Sequence, residues 1–130
     1  MTHHDPVRRM TEMNLHMYVV DLLGNCAAPD VMWWHNANGE LRDEKTGAKL
    51  KRMGVKPGLP DFTILIPKQA PGDIAFLEIK GDGGTVSAVQ KDFMARLRRI
   101  GCLVGVARTP EEACSMLVSW GAVRTQRSLE

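Results

Sequence analysis

The sequence predicts an α/β fold: a mixed β-sheet flanked by helices within one domain. Segments whose apolar residues recur at three- and four-residue steps alternate with short apolar runs of strand length. Two of those runs, residues 62–66 and 74–80, are separated by a short connection rich in proline and glycine, which marks a hairpin. A strand, helix, strand succession over residues 74–107 then calls for a right-handed parallel crossover.

The size and composition agree with a single core. A chain of 130 residues, 44% hydrophobic and 25% charged, has the make-up of a folded domain and not of a disordered polymer. At this length about two-thirds of the unfolded surface is buried without staples. The net charge of +2 does not by itself announce a polyanionic partner. Cys26, Cys102 and Cys114 are odd in number and widely spaced, with neither a CxxC pair nor a nearby histidine couple. That pattern argues against a disulfide framework or structural zinc. No apolar run approaches the ~20 residues of a membrane span, and residues 1–9 lack a signal core, so a cytoplasmic protein is expected.

The elements follow in order. Over residues 11–23, Glu12, Leu15, His16, Val19, Leu22 and Leu23 fall on one helical face, with Gly24 and Asn25 as its stop. Val31, Met32, Trp33 and Trp34 read as a short buried strand with one tryptophan in the core, the other left undecided. A helix is expected over residues 45–53, and the two glycines and two prolines of residues 54–60 must be irregular. Asp61 opens the strand 62–66. In the next strand Ile74, Phe76, Glu78 and Lys80 share one face, while Ala75, Leu77 and Ile79 share the other. A glycine-rich turn, residues 81–84, leads to a helix over 87–100 with the stripe Val89, Phe93, Leu97 and Ile100, closed by Gly101. The strand 103–107 follows. Thr109, Pro110 and Glu112 then start a last helix ending near Trp120 and Gly121. Residues 1–10 and 122–130 are expected to be disordered, leaving 11–121 as the domain.

The chemistry concentrates in Pro60-Asp61 and, after sixteen intervening residues, Glu78-Ile79-Lys80. Adjacent strands can bring Asp61 and Glu78 together, and two carboxylates on one spot repel unless a cation neutralises them or one takes a proton. A hard divalent ion such as magnesium answers that need. Lys80 is placed to orient a water or stabilise developing charge. The bland alternative makes Asp61 a turn residue and Glu78–Lys80 a surface pair worth at most about 1 kcal/mol.

The segments at residues 54–62 (GVKPGLPDF), 76–80 (FLEIK) and 87–90 (SAVQ) resemble the VRR-Nuc (virus-type replication-repair nuclease) branch of the PD-(D/E)XK nuclease superfamily. The resemblance runs from about Glu12 to Trp120 and implies a restriction-endonuclease-like αβββαβ core. It implies that Asp61 and Glu78 bind Mg²⁺ or Mn²⁺, that the Ile79 carbonyl contributes, and that Glu12 on the first helix assists. It also makes Lys80 the catalytic lysine and Gln90 a supporting residue. Glu12 has a second reading, as a first-turn acid complementing the helix dipole. Gln90 has one as the partner of Ser87 in a capping box. His35, Asn36, Asn38 and Gly39 match a polar segment of the family only approximately, and His16 stands where relatives often carry glutamine.

The resulting expectation is a metal-dependent deoxyribonuclease of phage or bacterial type. It is taken to act on branched DNA or Holliday junctions as a homodimer, with no membrane association. Lys45, Lys49, Lys51, Arg52 and Lys56, which lead into Asp61, are the candidate phosphate contacts. The alternatives are a non-catalytic nucleic-acid-binding module, or a nuclease that nicks or trims ends or takes RNA.

Overall fold

In the computed structural model, residues 10–37, 44–68 and 71–124 are described. The elements run α1 (Glu12–Cys26), β1 (Met32–His35), α2 (Glu44–Arg52), β2 (Phe62–Ile66), β3 (Asp73–Ile79), α3 (Ala88–Arg99), β4 (Leu103–Ala107) and α4 (Pro110–Trp120), the predicted succession. The sheet order is β1-β2-β3-β4. β1 and β3 flank β2 antiparallel, and β4 joins β3 in parallel, as the crossover through α3 requires.

Strand alternation divides the sheet into two faces. Phe62, Ile64, Ala75, Leu77, Ile79 and Ala107 are buried, and together with Leu15, Val19 and Leu23 of α1 and Ala113 and Leu117 of α4 they make the core. The register pairs Phe62 with Leu77 and Ile64 with Ala75, so these side chains project to the same side. Gly105 lies so close beneath Met116 and Trp120 of α4 that a methyl group there would clash. The opposite face carries Phe76 and Glu78 and is served by α3.

Local chemistry sets the helix ends. Thr11 and Ser87 accept hydrogen bonds from the amides of Asn14 and Gln90, and Ser87 with Gln90 completes a reciprocal capping box. Thr109 caps α4, with proline at its first position. Glu112 reaches back to the Arg108 amide at 2.7 Å, and Gly121 ends the helix in the left-handed conformation.

Four local expectations are corrected. Helix α1 passes through Gly24 and Asn25 to Cys26, because mid-helix glycine costs only about 1 kcal/mol and the burial of Leu23 outweighs it. β1 is not a buried strand but the sheet edge, with Met32 61% exposed; Trp33 turns inward against Phe62 and Trp34 stays on the surface. The buried residue of α3 is Met94, with Phe93 and Leu97 half-buried, whereas Val89 and Ile100 are exposed. The chain also stays anchored just past Gly121: Ala122 and Val123 are buried, and the Arg124 amide donates to the Cys26 carbonyl. Residues 1–9 and 125–130 lie outside the described residues, as do Asn38 and Gly39.

Two glycines position the site. Gly58 has φ +88°, and a Cβ there would lie 2.9 Å from the Val89 carbonyl oxygen, so the loop before Asp61 lies directly against the start of α3. At Gly81 a Cβ would stand 2.8 Å from the Glu12 amide nitrogen. Gly81→Ala should push the start of α1 away from the end of β3. Urea unfolding of this variant should show a loss of about 1–3 kcal/mol, the usual cost of overpacking against backbone that cannot yield.

Candidate active site

The site begins with the sheet register. Phe62 faces Leu77 across the antiparallel pair, so one step further along, at the end of both strands, Asp61 stands opposite Glu78. Both belong to the face that α3 serves. The Asp61 side chain is tied down by the Ile79 amide, which donates to its Oδ2 at 2.7 Å. Ile79 is thus tied to the site through its N–H. Lys80 is held by its own amide, which donates to the Ala107 carbonyl at 3.0 Å. Its Nζ lies 3.2 Å from Glu78 Oε2.

Glu78 is only 3% exposed. Its carboxyl is pushed up to about 8, first by burial and then by the charge of Asp61 and a hydrogen bond with it; Lys80 pulls the other way and is outweighed. The surface-pair alternative for Glu78 and Lys80 therefore fails, since the acid is buried and faces a second carboxyl. The donor set fits a hard divalent ion: two carboxyl groups in one place lower their mutual repulsion by sharing a cation or a proton.

Gln90 makes two hydrogen bonds through its carboxamide. Its Oε1 accepts from the Ser87 amide at 2.9 Å, closing the capping box, while its Nε2 donates to Glu78 Oε2 at 2.7 Å. One carboxamide thus caps α3 and presents a donor to the buried acid.

The other wall of the site comes from α1 and β1. Glu12, Met13, His16, Met17 and His35 line one concavity with Asp61, Glu78, Lys80 and Gln90, about 500 Å³ in volume. Glu12, in the first turn of α1, lies at this concavity. His16 stacks on Phe62 with ring centroids 4.7 Å apart and meets His35 edge-on at 4.6 Å. Burial, and next the neighbouring His35, hold His16 below the ordinary imidazole value, against the opposing pull of Asp61 and Glu12. One potential ligand atom from each of His16, His35 and Asp61 lies within 4.8 Å of the others.

Sequence reasoning passed over the part played by His35 and Asn36. His35 Nδ1 lies 3.0 Å from the Asp61 carbonyl oxygen, and the Asn36 amide donates to that same oxygen at 2.6 Å. The Asn36 side chain donates to the Pro60 carbonyl and to the Thr63 hydroxyl. These bonds clamp the Pro60-Asp61 corner to the end of the edge strand. The signal available was the polar run directly after two tryptophans, which read as a loop and as an approximate match to a family segment, with no role given to either residue.

The basic segment is a separate feature. Lys49 and Arg52 border a shallow depression with Ala48 and Met53, and Lys49, Lys51 and Arg52 form the basic last turn of α2. Lys45 lies on the same helix, and Lys56 is exposed in the loop that leads to Asp61.

Two apposed carboxyls, a lysine two residues beyond the second and an amide donor from the next helix, at the end of a mixed sheet, define a site of the PD-(D/E)XK nuclease class. The VRR-NUC domain family model matches residues 26–110, and the chain belongs to that nuclease family. The match begins at Cys26, so Glu12 and His16 lie before it. A solved structure described as a VRR_NUC domain protein is similar over 88% of this chain and 97% of that one. Its TM-score is 0.67 at 24% identity, which supports the fold. No curated protein matches the chain.

Two outcomes test the electrostatics. Because the folded-state value of Glu78 lies above the unfolded 4.5, the folded protein keeps a proton that the unfolded chain has lost. The resulting stabilisation is full below pH 4.5 and is lost as pH rises toward about 8, on the order of a few kcal/mol. Urea midpoints of the metal-free protein should fall over that interval, and Glu78→Gln should flatten the profile. The double role of Gln90 can be separated by charge. Gln90→Glu should keep the cap yet set an anion against Glu78, lowering stability more at pH 8 than at pH 5, whereas Gln90→Ala should lose the cap at both.

Proposed function

We propose that this protein is a divalent-metal-dependent DNA endonuclease, selective for branched DNA such as Holliday junctions and active as a homodimer. The observation that carries the reading is buried Glu78, apposed to Asp61 and contacted by both Lys80 and Gln90. Asp61 and Glu78 would hold Mg²⁺ or Mn²⁺, with Glu12 as an auxiliary acid and the Ile79 carbonyl as a further oxygen donor. Such an ion supplies Lewis-acid stabilisation of phosphoryl charge and a more acidic bound water.

The chain's own residues divide the remaining tasks. Gln90 keeps Glu78 oriented through its amide, and the Ile79 amide does the same for Asp61. The Lys80 ammonium positions the attacking water and offsets charge that develops on the phosphate. The basic turn of α2, together with Lys45 and Lys56, would contact phosphates and contribute affinity without reading sequence. One Asp61/Glu78 pair cuts one strand at a time, so severing two strands of a branched duplex calls for two copies. A cytoplasmic location is part of the same proposal.

The test is cleavage of labelled linear duplex, single-stranded, flap and four-way-junction DNA with Mg²⁺, Mn²⁺ or EDTA. Junction cutting should need the metal, and Lys80→Ala should slow it by about 10²–10⁴-fold while leaving DNA binding in place. Binding without cutting on every substrate would instead favour a non-catalytic module. Light scattering of the protein in solution should give the mass of a dimer.

A further inference from the structure

We infer that His16, His35 and Asp61 form a second cation position, bearing imidazole ligands, that shares the Asp61 carboxylate with the Asp61/Glu78 pair. This deepens the nuclease reading and rests on it for the oxygen ligands. The added claim is that part of the site is built to hold a transition ion through imidazole nitrogen rather than Mg²⁺ alone.

Three observations carry it. Ligand atoms of the three residues, which come from α1, β1 and the start of β2, converge within 4.8 Å. Around an ion with bonds of about 2.0–2.2 Å, neighbouring ligands sit roughly 3–3.5 Å apart, so the cluster closes with a shift of about 1 Å. Both rings stand on Phe62, a wholly buried side chain, which gives them a fixed floor.

The second observation is the orientation of His35. A carbonyl oxygen only accepts, so Nδ1 carries the proton in the 3.0 Å contact with the Asp61 carbonyl. In the neutral ring the lone pair is then at Nε2. A ligating histidine is commonly oriented through its other nitrogen on a backbone carbonyl or carboxylate, and here that carbonyl belongs to the third member of the cluster.

The third is the position of Asp61 itself. Its Oδ2 is held by the Ile79 amide, and its carboxyl reaches Glu78 on one side and the histidine cluster on the other. A carboxylate between two donor sets is the natural bridge of a two-ion arrangement. Imidazole suits Zn²⁺, Fe²⁺, Ni²⁺ and Cu²⁺, whereas Mg²⁺ and Mn²⁺ favour oxygen, so nitrogen bound even to Mn²⁺ would report a position that the imidazoles themselves build. The histidines therefore bias the site toward the imidazole-favouring ions.

The test uses Mn²⁺ alone as probe, in the full chain without a polyhistidine tag and with His3 and His4 replaced by alanine to remove terminal nitrogen donors. Pulsed EPR should detect ¹⁴N coupling from coordinated imidazole. That coupling should weaken in His16→Gln and vanish when His35→Gln is added, with Mn²⁺ affinity measured by calorimetry falling at least about tenfold. Mn²⁺ bound with no nitrogen coupling in the parent protein, and with equal affinity in the histidine variants, overturns the inference and leaves the nuclease reading intact. Nitrogen-coordinated Mn²⁺ in a protein that cuts no DNA supports the cluster and sinks the nuclease reading. The parent measurement decides the matter even where a histidine variant folds poorly.

Discussion

The antiparallel register of β2 and β3 forces two carboxyl groups together at the end of the sheet, and much of the site is a response to that juxtaposition. Phe62 faces Leu77 in the core, so Asp61 must face Glu78 at its edge. Shifting the pairing by one residue would place core side chains in the site and acids in the core, so the hydrophobic pattern that stabilises the sheet also enforces the repulsion. Burial of Glu78 and its partial neutralisation by Lys80 follow from the same geometry.

Each neighbour of the pair answers one part of the electrostatic problem. The Ile79 amide satisfies Asp61, the Gln90 amide satisfies Glu78, and Lys80 supplies positive charge without fully offsetting burial. Lys80, Gln90 and Asp61 come from three different places in the chain, and each is tied elsewhere: Lys80 through β4, Gln90 through its helix cap, Asp61 through the bonds of Asn36 around it. Preorganised donors of this sort cost little rearrangement when charge appears in the site. Close backbone approaches at Gly58 and Gly81 place α3 and α1 beside the pair, one toward each face of the sheet.

The histidine side of the concavity has a different character. Glu78 and Gln90 are reached from the α3 face, while His16 and His35 stand on Phe62, whose side chain belongs to the opposite face. Asp61, at the strand start, is the residue common to both. The family match covers the carboxylate pair, Lys80, Gln90 and His35 and begins at Cys26, the last residue of α1, so Glu12 and His16 lie outside it.

Much of this was legible in the sequence. Element order, the bounds of β2 and β4, the helix caps at Ser87 and Thr109, and the sharing of one face by Glu78 and Lys80 all follow from periodicities and capping chemistry that act within a few residues. The spacing from Asp61 to Glu78 pointed to the meeting of two carboxyl groups, because one hairpin joins them. Tertiary structure alone decided the rest. That β1 is an edge strand, that the buried residue of α3 is Met94, and that Ala122 and Val123 return to the core depend on which elements are neighbours in space. The meeting of His16, His35 and Asp61 is the strongest case. The three lie far apart in the chain, on a helix, an edge strand and a strand start, and no local pattern encodes a distance that only the packing of α1 across the sheet creates.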